Sequence, residues 1–552
     1  MMTIDILKKC DADALLYKKS SGYSHLMWDN NENLLRIISG LDASAGIVVL
    51  SSKGNALFVD GRYAIAAKKY VCTDKFDIFD LNFSRSIEWL KEKVPPESSI
   101  AYDPRFYTHM ELEKIQHEFR HYALKSIDLR DMLKIKPSRR NLNIFYLHEK
   151  PQEWKLNYVR EVMAKNNLAA YLLCDPASAC WLLDVRDLDT KYTMTILGYL
   201  LITKDEEYIY YLDEIYDFEE SATLKSQRRL SEDLKKYKTV GIDKWETPAS
   251  IRHGNFLHLK NPCILPKSVK TEAEISDIRC ATMKDSAAII NFLHWMYENH
   301  ANGVTEQQAS QKVLYFREQQ SNFIGESFPC IAAADKNAAM VHYLPTESCS
   351  IIKDILLLDS GGQYMFGTTD ITRTVCFSEP TEEHKMLYTL VLKGHIAVAT
   401  AKLPVGALGS WLEPLSRQYL WNNFLDYNHS TGHGIGYLLN VHEGPLSISK
   451  NCYLPLKSGM LLSNEPGYYK ENDVGIRLEN MMFVQEASSS FLEFETISLV
   501  PFDAKFVNKL LLSLDEIDWL RRYHSEIISK MITRLPENVV QWLMDYCDSW
   551  LR

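Results

Sequence analysis

Several things are scarce in this 552-residue sequence, and each scarcity narrows what the chain can be. Positive charge is not in excess: 62 Lys and Arg stand against 72 Asp and Glu, a formal net charge of −10. No run of Lys and Arg interleaved with aromatics occurs, so a nucleic-acid-binding surface is not expected. Long apolar runs are missing too. The longest, Met194 to Ile202, falls far short of the roughly 20 residues that span a bilayer. The opening MMTIDILKKCDADALLYKK lacks a continuous apolar stretch and carries Asp5, so no secretory signal is expected there. Eleven cysteines are scattered at 10, 72, 174, 180, 263, 280, 330, 349, 376, 452 and 547 without a single CxxC. Free, mostly buried thiols in a reducing, cytoplasmic compartment are the expectation, and neither a zinc ribbon nor a redox pair is indicated. Nucleotide-binding glycine patterns (GxGxxG, GxxxxGK[ST]) are also absent, and the string His442-Glu443-Gly444 is not the HExxH of mononuclear zinc proteases.

What is present reads as three segments. The length predicts several domains rather than one core. In the first, residues 1–138, GIVVLSSKGNALFVDGRY (46–63) predicts two strands joined around Lys53-Gly54-Asn55, followed by a helix over AIAAKKY. KIKPSRRN (134–141), with Pro137, breaks the pattern as a linker. The second, 139–267, resets the rhythm: a helix over EWKLNYVREVMAKNNL, a strand at AAYLLC (169–174), and paired strands TILGYLLIT and EEYIYYLD around Lys204-Asp205. Two related α/β units are expected. After LKNPCILPKSVKTEAE (259–274), the third segment, 268–552, opens with a long helix whose Ala287, Ile290, Leu293 and Tyr297 share a face. It closes with another that starts at a Ser513/Glu516 capping box ahead of Ile517, Leu520, Ile527 and Met531.

Between those helices lie three blocks with chemistry in them. In ILLLDSGGQYMFGTTDITRTVCF (355–377), Asp359 ends an apolar run and Asp370 follows after a Gly-Gly turn. Two strands joined in this way bring both carboxylates to one point, which is costly in a core unless a cation or a proton neutralises them. In SNEPGYYKENDVGIRLEN (463–480), Glu465 and Glu479 repeat the arrangement. In NHSTGHGIGYLLNVHEGP (428–445), His429, His433 and His442 crowd among Gly432, Gly434 and Gly436, which let backbones approach closely. Singly, each residue has an ordinary explanation as a turn cap, a solvated strand residue or a core histidine. Together they argue against independent solvated positions and for a site.

These strings, in this order, resemble the aminopeptidase P branch of the creatinase/methionine-aminopeptidase ("pita-bread") metallopeptidases. The likeness extends upstream to SFPCIAAADKNAAMVHYLP (327–345), to ISGLDASAGIVVL and FVDGRY near the start, and to the C-terminal helices. It implies a mixed α/β (α+β) chain in which two creatinase-N-terminal-like domains precede a pita-bread catalytic domain. It also implies two divalent ions held by Asp359, Asp370, His433, Glu465 and Glu479, with Asp370 and Glu479 bridging. A ligand set of oxygen and imidazole without thiolate suits Mn²⁺, with Co²⁺ or Zn²⁺ as substitutes. The implied reaction cuts the bond between an N-terminal residue and a following proline, using a metal-bridging hydroxide. Glu465 would shuttle the proton, His442 stabilise the oxyanion, His342 contact substrate, His429 line the proline pocket, and Arg477 tether ligand carboxylates or substrate. A homodimer is implied as well. The sequence departs from the usual pattern at Ser430, Asn464 and Asp335-Lys336-Asn337, which bears on substrate preference rather than on the ligands. A prolidase-like dipeptidase shares the metal set but has one N-terminal domain. A catalytically inactive pita-bread peptide-binding module would have lost ligands.

Overall fold

The hairpin expected near Lys53 is present in the computed structural model, which describes residues 2–19, 33–135, 139–205, 207–345 and 349–549. Strand Gly46–Ser51 turns back into Gly54–Val59, with Gly54 at φ +138°, a value side chains disfavour. Helix Ala64–Tyr70 follows. Both Gly46–Ser51 and most of its partner are buried, which is why they read as near-continuous apolar runs rather than as an alternation. The linker residue Pro137 lies outside the described residues.

The chain divides into two compact units. The first, residues 1–189 and 195–263, contains two six-stranded sheets. In one, strands Asp77–Asp80, Gly54–Val59, Gly46–Ser51, Ala14–Lys19, Ser99–Tyr102 and Ala123–Ser126 lie side by side in that order. In the other the order is Leu224–Ser226, Tyr208–Leu212, Gly198–Thr203, Ala170–Leu173, Val240–Ile242 and Phe256–His258. Position by position, the five neighbouring pairs have the same sense in both sheets: parallel, antiparallel, antiparallel, parallel, parallel. The helix–strand–helix–hairpin rhythm is therefore a repeated topology. The second copy's helix stops at Lys165, short of the expected Leu168, because Asn167 adopts φ +53° and ends the turn.

The second unit, residues 190–194 and 264–552, holds the three motif blocks. Its long helix Glu272–Asn299 starts at a Thr271/Glu274 capping box and runs about 42 Å at 1.5 Å per residue. Ala287, Ile290 and Leu293 are buried on it as expected, and Tyr297 is half-buried. Helix Leu514–Met531 begins at the Ser513/Glu516 capping box and buries Leu520, Ile527 and Met531 into the same core, with Ile517 half-buried. Strands Ile331–Ala334, Ile355–Ser360 and Ile371–Cys376 form one sheet. Strands Leu403–Pro404, Phe491–Thr496, Asn480–Ser488, Leu461–Asn464, Gly432–Gly434 and Glu443–Ile448 form another. All eleven cysteines are free and eight are buried. No helix among the described residues is long and apolar enough to cross a membrane.

Candidate metal centre

Strand register does most of the assembly. Asp359 faces Thr372 across the antiparallel pair Ile355–Ser360/Ile371–Cys376, and Asp370 stands one residue before the second strand. The connection is not a bare turn. Short strands Gly362–Tyr364 and Gly367–Thr368 pair within it. Likewise Asn464 faces Asn480, so Glu465 and Glu479 sit one step beyond that pair, with the small hairpin Gly467–Lys470/Val474–Arg477 between them. The Glu479 amide donates to the Thr372 carbonyl at 3.1 Å, which joins the two acidic blocks. His433 lies on Gly432–Gly434, tied to the Leu461–Asn464 strand by its amide to Ser463 Oγ at 3.0 Å. A Cβ on Gly432 would overlap the Ser463 carbonyl, so the sequence's glycines here serve close backbone approach.

The five residues converge. Ligand atoms of Asp370, His433 and Glu479 all lie within 4.8 Å of one another. His433 Nε2 is 3.4 Å from Asp370 Oδ2 and 3.3 Å from Glu465 Oε1. Its Nδ1 is 3.0 Å from the Gly434 carbonyl, which can only accept, so Nδ1 carries a proton and Nε2 faces the carboxylates. Asp359 enters from the side, its Oδ2 accepting from Arg477 Nη2 at 2.6 Å. Asp370 and Glu479 are almost wholly buried, Asp359 lies at 9% exposure, and Glu465 is half-buried.

Burial pushes the carboxyls of Asp370 and Glu479 well above the ordinary range, and the neighbouring acids, Asp359 and Glu465 among them, push further. Burial also raises Glu465, against the pull of His433 and Arg477. Asp359 Oδ1, Asp370 Oδ1 and Glu479 Oε1 are buried without a hydrogen-bond partner. Buried acceptors are ordinarily satisfied. Three orphaned carboxylate oxygens beside an inward-facing imidazole nitrogen, with no sulfur in the set, fit hard divalent cations.

The flanking residues are organised as well. Arg477, fully buried, also donates to the Tyr469 hydroxyl at 2.7 Å, to Thr372 Oγ1 at 3.4 Å and to the Val341 carbonyl at 3.3 Å. Tyr469 OH is 2.8 Å from His429 Nε2, whose Nδ1 faces the Ser430 carbonyl. Thr372 Oγ1 donates to Glu479 Oε2 at 2.7 Å. His442 is exposed, with its ring edge-on to His433 at 4.2 Å between centroids. His342 is half-buried and follows Val341, the residue whose carbonyl Arg477 holds.

Sequence comparison adds a decisive fact: the chain is 30% identical to the probable Xaa-Pro aminopeptidase P of Laccaria bicolor over 98% of its own length and 92% of that protein's. The model of metallopeptidase family M24 matches residues 276–486. The chain belongs to metallopeptidase family M24. The family's C-terminal region matches 490–550, and creatinase/prolidase N-terminal domains match 12–133 and 136–274, in keeping with the two repeated sheets. Xaa-Pro aminopeptidase 1 of Dictyostelium discoideum is 32% identical over 92% of this chain and 89% of that one. The fold superposes on the crystal structure of an X-prolyl aminopeptidase from Caenorhabditis elegans with a TM-score of 0.91, at 26% identity and 99% coverage of both chains. That relative is described as a cytosolic enzyme with a di-nuclear active site.

Behind the carboxylates of this M24 domain lies a layer that the sequence reading passed over. Arg373 is fully buried and donates to the carbonyls of Thr372, Glu479, Val500 and Pro501, to Asn480 Oδ1 and to the Tyr523 hydroxyl. His395 Nδ1 donates to the Leu478 carbonyl at 3.2 Å, and its Nε2 accepts from Asn480 Nδ2 at 3.2 Å. Asn464, standing where the M24 pattern often has Asp, donates to the His395 carbonyl at 2.9 Å. Burial first, and then the Arg373 charge, hold both His395 and His524 neutral, with pKa values lowered to about 3.

Between about 3 and the ordinary value of 6.5, the unfolded chain binds protons that the folded chain refuses. Stability is fully present above that window and is lost as pH falls through it, by about 1.4 kcal/mol per pH unit for each histidine. Calorimetry in a chelator should show the catalytic unit's melting point falling steeply from pH 6.5 to 4.5, with a shallower fall for His395→Gln. An unchanged slope would remove His395 from this account.

Proposed function

We propose that this chain is a metal-dependent Xaa-Pro aminopeptidase, which hydrolyses the bond between an N-terminal residue and a following proline. The observation that carries the reading is the convergence of Asp370, His433 and Glu479, with three orphaned carboxylate oxygens around them, in a chain similar along nearly its whole length to proteins named Xaa-Pro aminopeptidases. In this reading Asp359, Asp370, His433, Glu465 and Glu479 hold two divalent cations, Mn²⁺ by preference, with Co²⁺ or Zn²⁺ as substitutes. Bound there, the ions supply Lewis acidity and an activated water at neutral pH.

The remaining steps belong to side chains. Glu465, half-buried and within reach of solvent, moves a proton from the attacking water to the departing prolyl nitrogen. His442 donates to the oxygen that gains charge at the scissile carbonyl. His342 contacts the peptide. His429, oriented by Tyr469, lines the pocket for the pyrrolidine ring. Arg477 keeps Asp359 turned into the site through the 2.6 Å bond. A prolyl amide has no N–H, so a pocket that gives apolar burial and asks for no donor favours it over secondary amides.

Cytoplasmic location, a homodimer and the domain bounds 1–138, 139–267 and 268–552 belong to the same proposal. Free thiols and the cytosolic C. elegans relative support the first of these. The test is an assay of the chelated, full-length protein. Ala-Pro-Pro cleavage should vanish with chelator and return with Mn²⁺, while Ala-Ala-Pro is left intact at its first bond. Turnover of the dipeptide Ala-Pro in preference to Ala-Pro-Pro would instead favour a prolidase. Failure of any metal to restore cleavage would favour a peptide-binding module.

A further inference from the structure

Glu306 is the first residue of helix Glu306–Glu318, and its side chain is fully buried. Burying a carboxylate is expensive unless donors replace its lost water. Here four neutral donors do so. The Ala334 amide and Asn337 Nδ2 bond to Oε1 at 2.7 and 2.9 Å; the Tyr343 hydroxyl and the Ser350 amide bond to Oε2, both at 2.7 Å. The two acceptor oxygens of a carboxyl side chain match this set, two donors to each. Glutamine in either orientation would aim its NH₂ at a backbone N–H, that of Ala334 or that of Ser350.

The four partners lie on the stretch of chain that carries His342. Tyr343 is the residue after it. On its other side, the Val341 carbonyl accepts from Arg477 Nη2, the same nitrogen that bonds Asp359. The turn Asp335–Ala339 packs so tightly on strand Val474–Arg477 that a Cβ on Gly475 would overlap the Ala338 carbonyl. His342 is thus clamped from both neighbours: from the metal-site side by Arg477 and from the helix side by Glu306. The Arg477 clamp belongs to the ligand array. The Glu306 clamp touches none of the five carboxylate and imidazole groups.

We propose that Glu306 is a positioning residue for His342, fixing through Tyr343 and Asn337 the backbone from which that histidine meets the peptide. The proposal rests on the reading of His342 as a substrate contact. Small displacements of a group in an active site cost up to about a hundredfold in rate, so a loosened clamp should register in catalysis before it registers in folding.

The test uses the Mn²⁺-loaded full chain with Ala-Pro-Pro, measuring kcat, KM, metal content and melting point for His342→Ala, Tyr343→Phe, Glu306→Gln and the two doubles with His342→Ala. Tyr343→Phe leaves the carboxylate three donors, so it keeps the question answerable if Glu306→Gln folds poorly. Tyr343→Phe should lower kcat/KM about tenfold, with metal content unchanged and the same partition between kcat and KM as His342→Ala. In the His342→Ala background either change should cost less than about twofold, because the group being positioned is gone. Losses that add in the doubles would mean general packing and would overturn the proposal, as would an undiminished Tyr343→Phe enzyme. If His342→Ala itself retains full kcat/KM, the substrate-contact reading falls and the positioning role with it. Loss in His342→Ala without loss in Tyr343→Phe overturns the positioning role alone.

Discussion

Asp370→Asn should lower kcat/KM for Ala-Pro-Pro by about a thousandfold or more, beyond the 10–100-fold typical of an outer-sphere change, while leaving the metal-free protein at least as stable as the parent. The two halves of this expectation come from one fact. In the metal-free fold the Asp370 carboxylate is buried among like charges, and its pKa is raised. The folded state then holds a proton that the unfolded chain gives up near pH 4, so the group's charge opposes folding increasingly as pH rises through that window, most strongly above the folded pKa. An amide at this position carries no such penalty at pH 7.5. With cations the sign reverses. The parent gains stability by binding, about 2.7 kcal/mol when free metal is a hundred times Kd, whereas the variant has lost a ligand in the only group where three such donors meet within 4.8 Å of one another among the described residues. Melting curves in chelator and in Mn²⁺ give both numbers. A variant that retains turnover and the full Mn²⁺ shift would sink the assignment of Asp370 as a ligand.

How much of this could be read from the sequence differs by residue. The two acidic blocks were readable because Asp359 and Glu465 close apolar runs while Asp370 and Glu479 come back beside them after a turn, and strand pairing then leaves little freedom: Asp359 opposite Thr372 and Asn464 opposite Asn480 are what antiparallel hairpins around those turns produce. The duplicated N-terminal topology was readable as a rhythm of elements but not as a sheet order, because parallel pairs such as Ala14–Lys19 with Ser99–Tyr102 join strands some eighty residues apart that no local signal links. Arg373, Tyr469, His395 and Glu306 were the misses. Arg373 and Tyr469 lie inside the very strings that carry the metal ligands, yet an arginine flanked by threonines on a strand reads as a solvated face. Only the structure reveals that its face is the inner one. A signal did exist: Ile371–Cys376 is buried at every position, and an arginine in such a strand must find several acceptors or be excluded. Glu306 gave no signal beyond its place in a capping sequence, because its four partners lie 28 to 44 residues further along the chain.

Arg373→Met should be the most destabilising change outside the ligand set. The guanidinium is inaccessible to water and has no carboxylate partner among its bonds; it is held by four backbone carbonyls, Asn480 and Tyr523, with its plane 4.3 Å from the Phe502 ring centroid. A methionine of similar length fills the space but leaves the Glu479 and Pro501 carbonyls without this donor, while the Val500 carbonyl keeps the Tyr523 hydroxyl at 2.9 Å. Each such acceptor costs about 1–3 kcal/mol, and the sum competes with a total domain stability of about 5–15 kcal/mol. A loss of about 4 kcal/mol moves the melting point of a unit this size by roughly 6 °C. The catalytic unit alone should show it in calorimetry, since residues 1–189 and 195–263 form a unit with its own core. Arg373 also bonds the Glu479 carbonyl at 2.6 Å, so the backbone of a proposed ligand loosens at the same time. Mn²⁺ should therefore recover part of the melting point by pulling Glu479 back into register, and activity should follow metal concentration more steeply than in the parent. A variant that melts with the parent would show that the six acceptors do not depend on the guanidinium, and Arg373→Lys, with three donors for six acceptors, should fall between the two.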